Sequence, residues 1–280
     1  SGNKNNWTSN NINSNASGDA TYDLMSDVPT LTDEDTANFP TLNPLSKAGN
    51  VALTDGNLTN AWDSSAGTSQ AATMATPTTG KWYYEFVTTV SSSTPVRGVI
   101  GIQKSPNPQS EFPGYGSSDG WSIYLHDGNK FNGSTSGGDS YGSSFAVNDV
   151  CMVAVDLDNS KIYWGKNGTW FNSGNPATGA NAAYTNVTGP VFFALGDGSG
   201  HNTFTGHMNF GQRPFAYTPP TGFKKLNTFN LPDSTITDGS KHFDTALWTG
   251  TGSSLAITGL EFSPDLVWTK GRSVAYSHYW

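Results

Sequence analysis

Residues 149–174 read DVCMVAVDLDNSKIYWGKNGTWFNSG. Cys151, Val153, Val155 and Leu157 occupy every second position, then Asp158-Asn159-Ser160 interrupts the run. Alternation resumes through Ile162 and Trp164 and stops again at Asn167-Gly168, before Trp170 and Phe171. A period of two throws successive side chains to opposite faces, so each apolar set lines one side of a strand. Asn-Gly suits a two-residue type I′ hairpin turn, whose central residues both need positive φ. The pattern predicts an antiparallel meander with one buried face.

The same rhythm extends in both directions. Strand-like runs at 51–53 and 58–62 flank Asp55-Gly56-Asn57, and others lie at 71–76, 81–90 and 98–103. Runs at 121–126 and 130–132 bracket Asp127-Gly128, and two more follow the meander at 191–196 and 206–210. Trp82, Tyr84, Phe86, Trp164, Phe192 and Phe210 are expected in the core, with Trp121 half-buried at a strand start. Segments 104–120, 133–148 and 172–189 are long Gly/Ser-rich loops, and loops of such length carry function more often than short ones.

The expected fold is all-β: a two-sheet antiparallel sandwich with an irregular N-terminal arm and a small C-terminal β module. Residues 1–48 read as the arm, with Trp7, Tyr22, Leu24, Met25, Leu31, Phe39, Leu42 and Leu45 as apolar anchors. The sandwich is expected over 49–218. The Pro-rich stretch from Pro219 opens a linker over 219–232, and 233–280 reads as the start of a second β module, cut short. Both ends look like the inside of a longer protein.

Composition narrows the function. Only 13% of the 280 residues are charged while 12% are aromatic, which suits a Gly-rich sandwich of short strands and argues against disorder. The net charge is −8 and the fourteen Lys and Arg are scattered, so neither nucleic acid nor an anionic membrane is an expected partner. No apolar run nears the ~20 residues that cross a bilayer. The lone Cys151 sits within an apolar strand and reads as a buried small hydrophobe.

Catalytic patterns are weak. A retaining glycosidase needs two carboxylates roughly 5–5.5 Å apart. The four glutamates (Glu34, Glu85, Glu111, Glu261) lack such a neighbourhood, and Asp156 and Asp158 share a face only at a strand end. The five histidines show no zinc spacing, so no metal or other cofactor is expected. Binding fits better: aromatic residues in turn-rich loops offer rigid contact area, and Asn, Ser and Asp offer hydrogen bonds. Loop candidates are Phe112, Tyr115, Tyr141 and the turn at 197–202 with Asp197, His201 and Asn202.

Five ordered motifs give a resemblance. They are Gly80-Lys-Trp-Tyr-Tyr-Glu-Phe86, Val99-Ile-Gly-Ile102, Gly120-Trp-Ser-Ile-Tyr124 before His126-Asp-Gly128, the 149–174 meander, and 191–195 followed by His207-Met-Asn-Phe-Gly211. Together they resemble the SPRY-domain family, a concanavalin-like sandwich of binding modules, over about residues 50–215. The resemblance implies ligand contacts from the loop before the Gly-Trp strand, where Tyr115 falls, and from the loop after the penultimate strand. Leu195-Gly196-Asp197 matches the second, without the aromatic often found there.

The flanks, among them Tyr22-Asp-Leu-Met and Pro219-Pro-Thr-Gly-Phe-Lys-Lys-Leu, resemble phrases around SPRY-like domains of tailed-bacteriophage structural proteins. That likeness implies a non-enzymatic unit of an extracellular virion appendage, a tail fibre or similar, recognising a glycan or protein on a host surface. Other virion subunits and further copies of the chain, as a trimer, would be its remaining partners. A purely structural fibre subunit is the alternative, and a glycan hydrolase a third.

Overall fold

The computed structural model describes residues 33–34, 36–49, 51–63, 68–198, 203–233, 235–236, 238–272, 275 and 277–280. These fall into two compact units, Leu31–Leu231 and the segment from Pro232 onward.

The first unit holds thirteen strands among its described residues. In chain order they are β1 (Val51–Thr54), β2 (Thr59–Trp62), β3 (Ser69–Ala75), β4 (Lys81–Ser91) and β5 (Gly98–Gln103). Then come β6 (Gly120–Tyr124), β7 (Lys130–Phe131), β8 (Val150–Asp156), β9 (Lys161–Lys166) and β10 (Thr169–Trp170). The last are β11 (Phe192–Asp197), β12 (Phe204–Asn209) and β13 (Lys224–Lys225). The larger sheet runs β1-β2-β12-β4-β8-β9-β10, with β13 added parallel to the start of β4. The smaller runs β3-β11-β5-β6-β7. The expected all-β sandwich of two antiparallel sheets is what forms.

The alternation read in the sequence becomes cross-strand rows. Tyr84 pairs with Val153 and Val153 with Trp164, while Trp82 pairs with Val155 and Val155 with Ile162. All six point inward with Phe86, Met208 and Cys151, against Ile100, Ile102, Trp121, Ile123, Phe193 and Leu195 of the smaller sheet. The Asn167-Gly168 turn has φ of 50° and 85°, as a type I′ hairpin requires. Burial pushes the Cys151 thiol well above its usual range, consistent with a small core residue.

Several expectations need correction. Phe193, not Phe192, is the core residue, because it lies opposite Ile102 and the register against β3 shifts between Phe192 and Ala194. Two adjacent phenylalanines cannot reveal which one faces inward. Trp121 is 1% exposed rather than half-buried, and its indole N–H donates to Asn186 Oδ1 at 2.9 Å. Of the proposed arm anchors, Trp7, Tyr22, Leu24, Met25 and Leu31 lie outside the described residues. Leu42 is fully buried and bridges to Ala72 beside β3, whereas Leu45 is 97% exposed. The stretch 219–232 does not behave as a linker: it carries β13, and Phe223 and Leu226 are buried. In the second unit the described residues form no strand; one Thr269–Tyr279 bridge and a turn of 3-10 helix at Gly239–Lys241 are its regular features.

Both sheets are also covered on their outer faces. Over the larger one, Phe215, Tyr217 and Phe223 pack on Tyr83, Met152, Ala154 and Tyr163. Glu85 fastens this strap. Its buried carboxylate accepts from Tyr83 Oη at 2.8 Å, from the Ala216 amide at 2.8 Å and from the Tyr217 amide at 2.9 Å. A glutamate on an aromatic strand is therefore a clasp.

Removing the carboxylate leaves three donors unmatched. Glu85→Ala is expected to lower unfolding free energy by on the order of 3 kcal/mol, read from urea denaturation. Glu85→Gln should rescue little of this, since its NH2 would face a backbone N–H.

Buried tyrosines set an alkaline limit. Desolvation pushes the hydroxyls of Tyr83, Tyr84, Tyr141 and Tyr184 up, and raises Tyr163 to about 12. Unfolded tyrosines ionise near pH ~10, so above that pH the unfolded chain sheds protons the folded chain keeps. The stability these tyrosines contribute is expected to be level below that pH and to fall as pH rises beyond it. The check is the urea midpoint against pH, with tyrosinate absorbance from this group appearing only on unfolding.

Candidate functional site

The segment between β5 and β6 is pinned along its whole length. Lys104 N donates to Asp119 O, and the Lys104 ammonium meets Asp119 Oδ1 at 3.1 Å, so the ends of the loop close on each other. Gln103, 2% exposed, donates through Nε2 to the carbonyls of Ser105 and Asn107 at 2.8 and 3.0 Å. Gln109 exchanges hydrogen bonds with Ser69, donating to its Oγ and accepting from its amide. Ser122 Oγ holds Pro113 O, Gly116 N donates to Ser134 O, and Gly133 N to Gly114 O.

Phe112 is the apolar anchor. It is 6% exposed and packs with Val99 and Phe131 on the outer face of the smaller sheet. Its ring centroid lies 5.0 Å from that of Tyr115 and 5.0 Å, edge-on, from that of Phe131. Two glycines make room. A Cβ on Gly196 would lie 2.8 Å from Phe112 Cβ, and Gly114 has φ +85° with Phe131 O 2.5 Å from where its Cβ would be. Side chains at either position would push the loop off the sheet.

The result is an open cavity of about 670 Å³ lined by the loop, with Lys104, Glu111, Tyr115 and Asp119 around it and Thr135 opposite. Tyr115 is half-buried, its ring also 6.4 Å from that of Phe131. Sequence reasoning found Tyr115 and Phe112 but missed Lys104, Glu111 and Asp119. The long-loop signal covered them, yet nothing local distinguishes a lining charge from a solvated one.

The other candidates scatter. Phe112, Tyr115 and Gly196 come together, with Phe112 buried as support. Leu195 and Asp197 are fully buried, since β11 continues through both; Leu195 faces the core beside Ile100. Tyr141 lies elsewhere, 6.3 Å from the Trp164 ring and 6.1 Å from Phe171, with the Lys130 ammonium 5.5 Å from its ring centroid. His201 and Asn202 lie outside the described residues.

The carboxylates that spacing had placed on one face hold turns. Asp156 is buried, accepts from the Asn159 amide and side chain and pairs with Lys81 at 3.0 Å, while Asp158 accepts from Gly80 N. Among the described residues no group of His, Cys, Asp or Glu is arranged to hold a metal, and no helix is long and apolar enough to cross a membrane. The second unit has its own open cavity of about 990 Å³, with Trp248, Lys270, Arg272 and Tyr279 in its lining.

If Phe112 anchors the loop, Phe112→Ala should cost about 3 kcal/mol of stability. Hydrogen exchange at the Tyr115, Gly116 and Gly133 amides should accelerate more than exchange in β8 and β9.

Comparison with known proteins fits this architecture. Residues 238–280 match a family described as a domain of unknown function, DUF7483. No curated protein sequence matches the chain. Among solved structures, the SPRY domain of human HERC1 superposes with a TM-score of 0.50 at 17% identity, covering 62% of this chain and 99% of that one. A human SPRY domain gives a TM-score of 0.43 at 17% identity, over 59% of this chain and 98% of its own length. The two-sheet sandwich, with its covered outer faces, thus has the fold of a SPRY domain.

Proposed function

We propose that this chain is a non-enzymatic binding unit whose sandwich presents the 104–119 loop to a protein or glycan on a host surface, as part of an extracellular virion appendage of the tail-fibre kind. The observation that carries the reading is the cavity itself. It is held open by the loop's own hydrogen bonds and bears the half-buried Tyr115 on its wall. A site shaped before its ligand arrives loses less freedom on binding. The SPRY-type fold favours a partner-binding role, and the phrases flanking the sandwich favour the virion setting. Asp156 and Asp158, the carboxylates nearest to a hydrolytic spacing, are engaged in structural contacts, which supports binding over cleavage.

A second reading rests on a different observation. Phe243, Leu247, Leu266, Trp268, Tyr279 and Trp280 are each at least 66% exposed in the second unit. Apolar surface on that scale marks an interface, as in a fibre subunit that binds only its neighbours or other copies of itself, a trimer among the possibilities.

The test is a glycan and host-protein array probed with the wild-type chain and with Tyr115→Ala, alongside sedimentation of the unbound protein. Retention by wild type and at least a fivefold loss in the variant, a change of about 1 kcal/mol, is the expected outcome. Equal retention removes the cavity from the interaction. No retention by either protein, with a concentration-dependent oligomer in sedimentation, favours the structural reading.

A further inference from the structure

The cavity beside the smaller sheet has a charge and hydrogen-bond bias that narrows its occupant; the inference rests on the preceding proposal that a partner docks there. Several of its donors are already engaged. The Lys104 ammonium is paired with Asp119 and lies 5.8 Å from the Trp121 ring centroid. Gln103 Nε2 is taken by the carbonyls of Ser105 and Asn107, and Gln109 Nε2 by those of Asn107 and Pro108. The Ser105 hydroxyl donates to Asn107 O.

The cavity's uncompensated charge is negative. Glu111 is exposed in the lining and makes no ion pair among the described residues, so its charge stands uncompensated beside the neutralised Lys104–Asp119 pair. The hydroxyls of Ser110, Ser117 and Thr135 can serve either way.

An occupant suited to this lining carries positive charge and supplies donors to Glu111. A carboxylate or phosphate would meet Glu111 with like charge, and a neutral sugar would leave that charge unpaired. Guanidinium has five donors and no acceptor, and its plane stacks on aromatic rings. Tyr115 provides such a ring. The net charge of −8 draws basic partners toward the chain as a whole.

We infer that the cavity recognises an arginine side chain of a partner protein, with Glu111 as its counter-charge and Tyr115 as its stacking face. The side chain enters from solvent, because Glu111 lies on the exposed part of the lining.

The experiment is a titration of the ¹⁵N-labelled full chain, followed by amide shifts. The probes are acetyl-Gly-Arg-Gly-amide, the same peptide with Gln or Glu in place of Arg, and lactose as a neutral sugar. The arginine peptide should shift the amides of 110–117 saturably, and the Gln and Glu peptides should not. Glu111→Gln should weaken that binding about two- to fivefold, as for an exposed ion pair. NaCl at about 0.5 M should weaken it further by screening. Unchanged shifts elsewhere in the spectrum report that the variant is folded. Equal response to the Gln peptide or to lactose, insensitive to Glu111→Gln, overturns the arginine assignment while leaving the cavity as a docking site. Absence of shifts at 110–117 with all four probes also overturns it, and the Tyr115→Ala array then decides separately whether the cavity docks anything.

Discussion

Tyr84 couples the two sheets. From β4 in the larger sheet its ring stacks on Phe193 of the smaller one at 4.3 Å, and its hydroxyl donates to Gly101 O in β5 at 2.6 Å. The side chain is fully buried, so this bond forms where no water competes for either group. Phe193 in turn stacks on Phe210 at 5.8 Å, just beyond the end of β12. Apolar packing alone would hold two sheets together without fixing their register. One directional bond inside that layer specifies which carbonyl of β5 meets β4, and with it where the loop after β5 leaves the sheet.

The outer faces follow a common logic with different chemistry. Over the larger sheet, a single carboxylate gathers three donors and clamps a strap of aromatic residues. Over the smaller sheet, a single phenylalanine sinks into an aromatic patch, and the rest of the loop is tied by its own amides and hydroxyls. The first arrangement closes a surface. The second leaves room between loop and sheet, because the loop's glycines and serines carry too little side chain to fill it. Spending amide donors on internal carbonyls fixes the shape of the loop around the cavity.

The strands were legible because half-buried β structure writes a period of two into the chain, and the meander from Cys151 to Trp170 breaks it only at its turns. Turn residues were legible for a related reason: positive φ at Asn167 and Gly168 restricts the residues allowed there. Legibility failed where adjacent positions were chemically alike. Phe192 and Phe193 differ only in which way the pairing with β5 turns them, and Leu195, which the family resemblance assigned to a ligand-contacting loop, lies within β11. The segment at 219–232 looked like a linker because prolines suggest one, although Lys224 and Lys225 within it pair with β4.

Local order along the chain was enough to settle the all-β class, the approximate strand limits, the hairpin turns and the apolar side of the meander, since each depends on neighbours within a few residues. Tertiary structure alone decided the roles of Glu85, Phe112, Glu111 and Lys104. Each takes its meaning from groups distant along the chain or across a folded loop: Glu85 from amides more than a hundred residues away, Phe112 from Phe131 and Gly196, Lys104 from Asp119, and Glu111 from its place in the cavity lining. A sequence records what a side chain can do. Only the folded chain determines which of its hydrogen bonds and charges are already satisfied, and which are left for a partner.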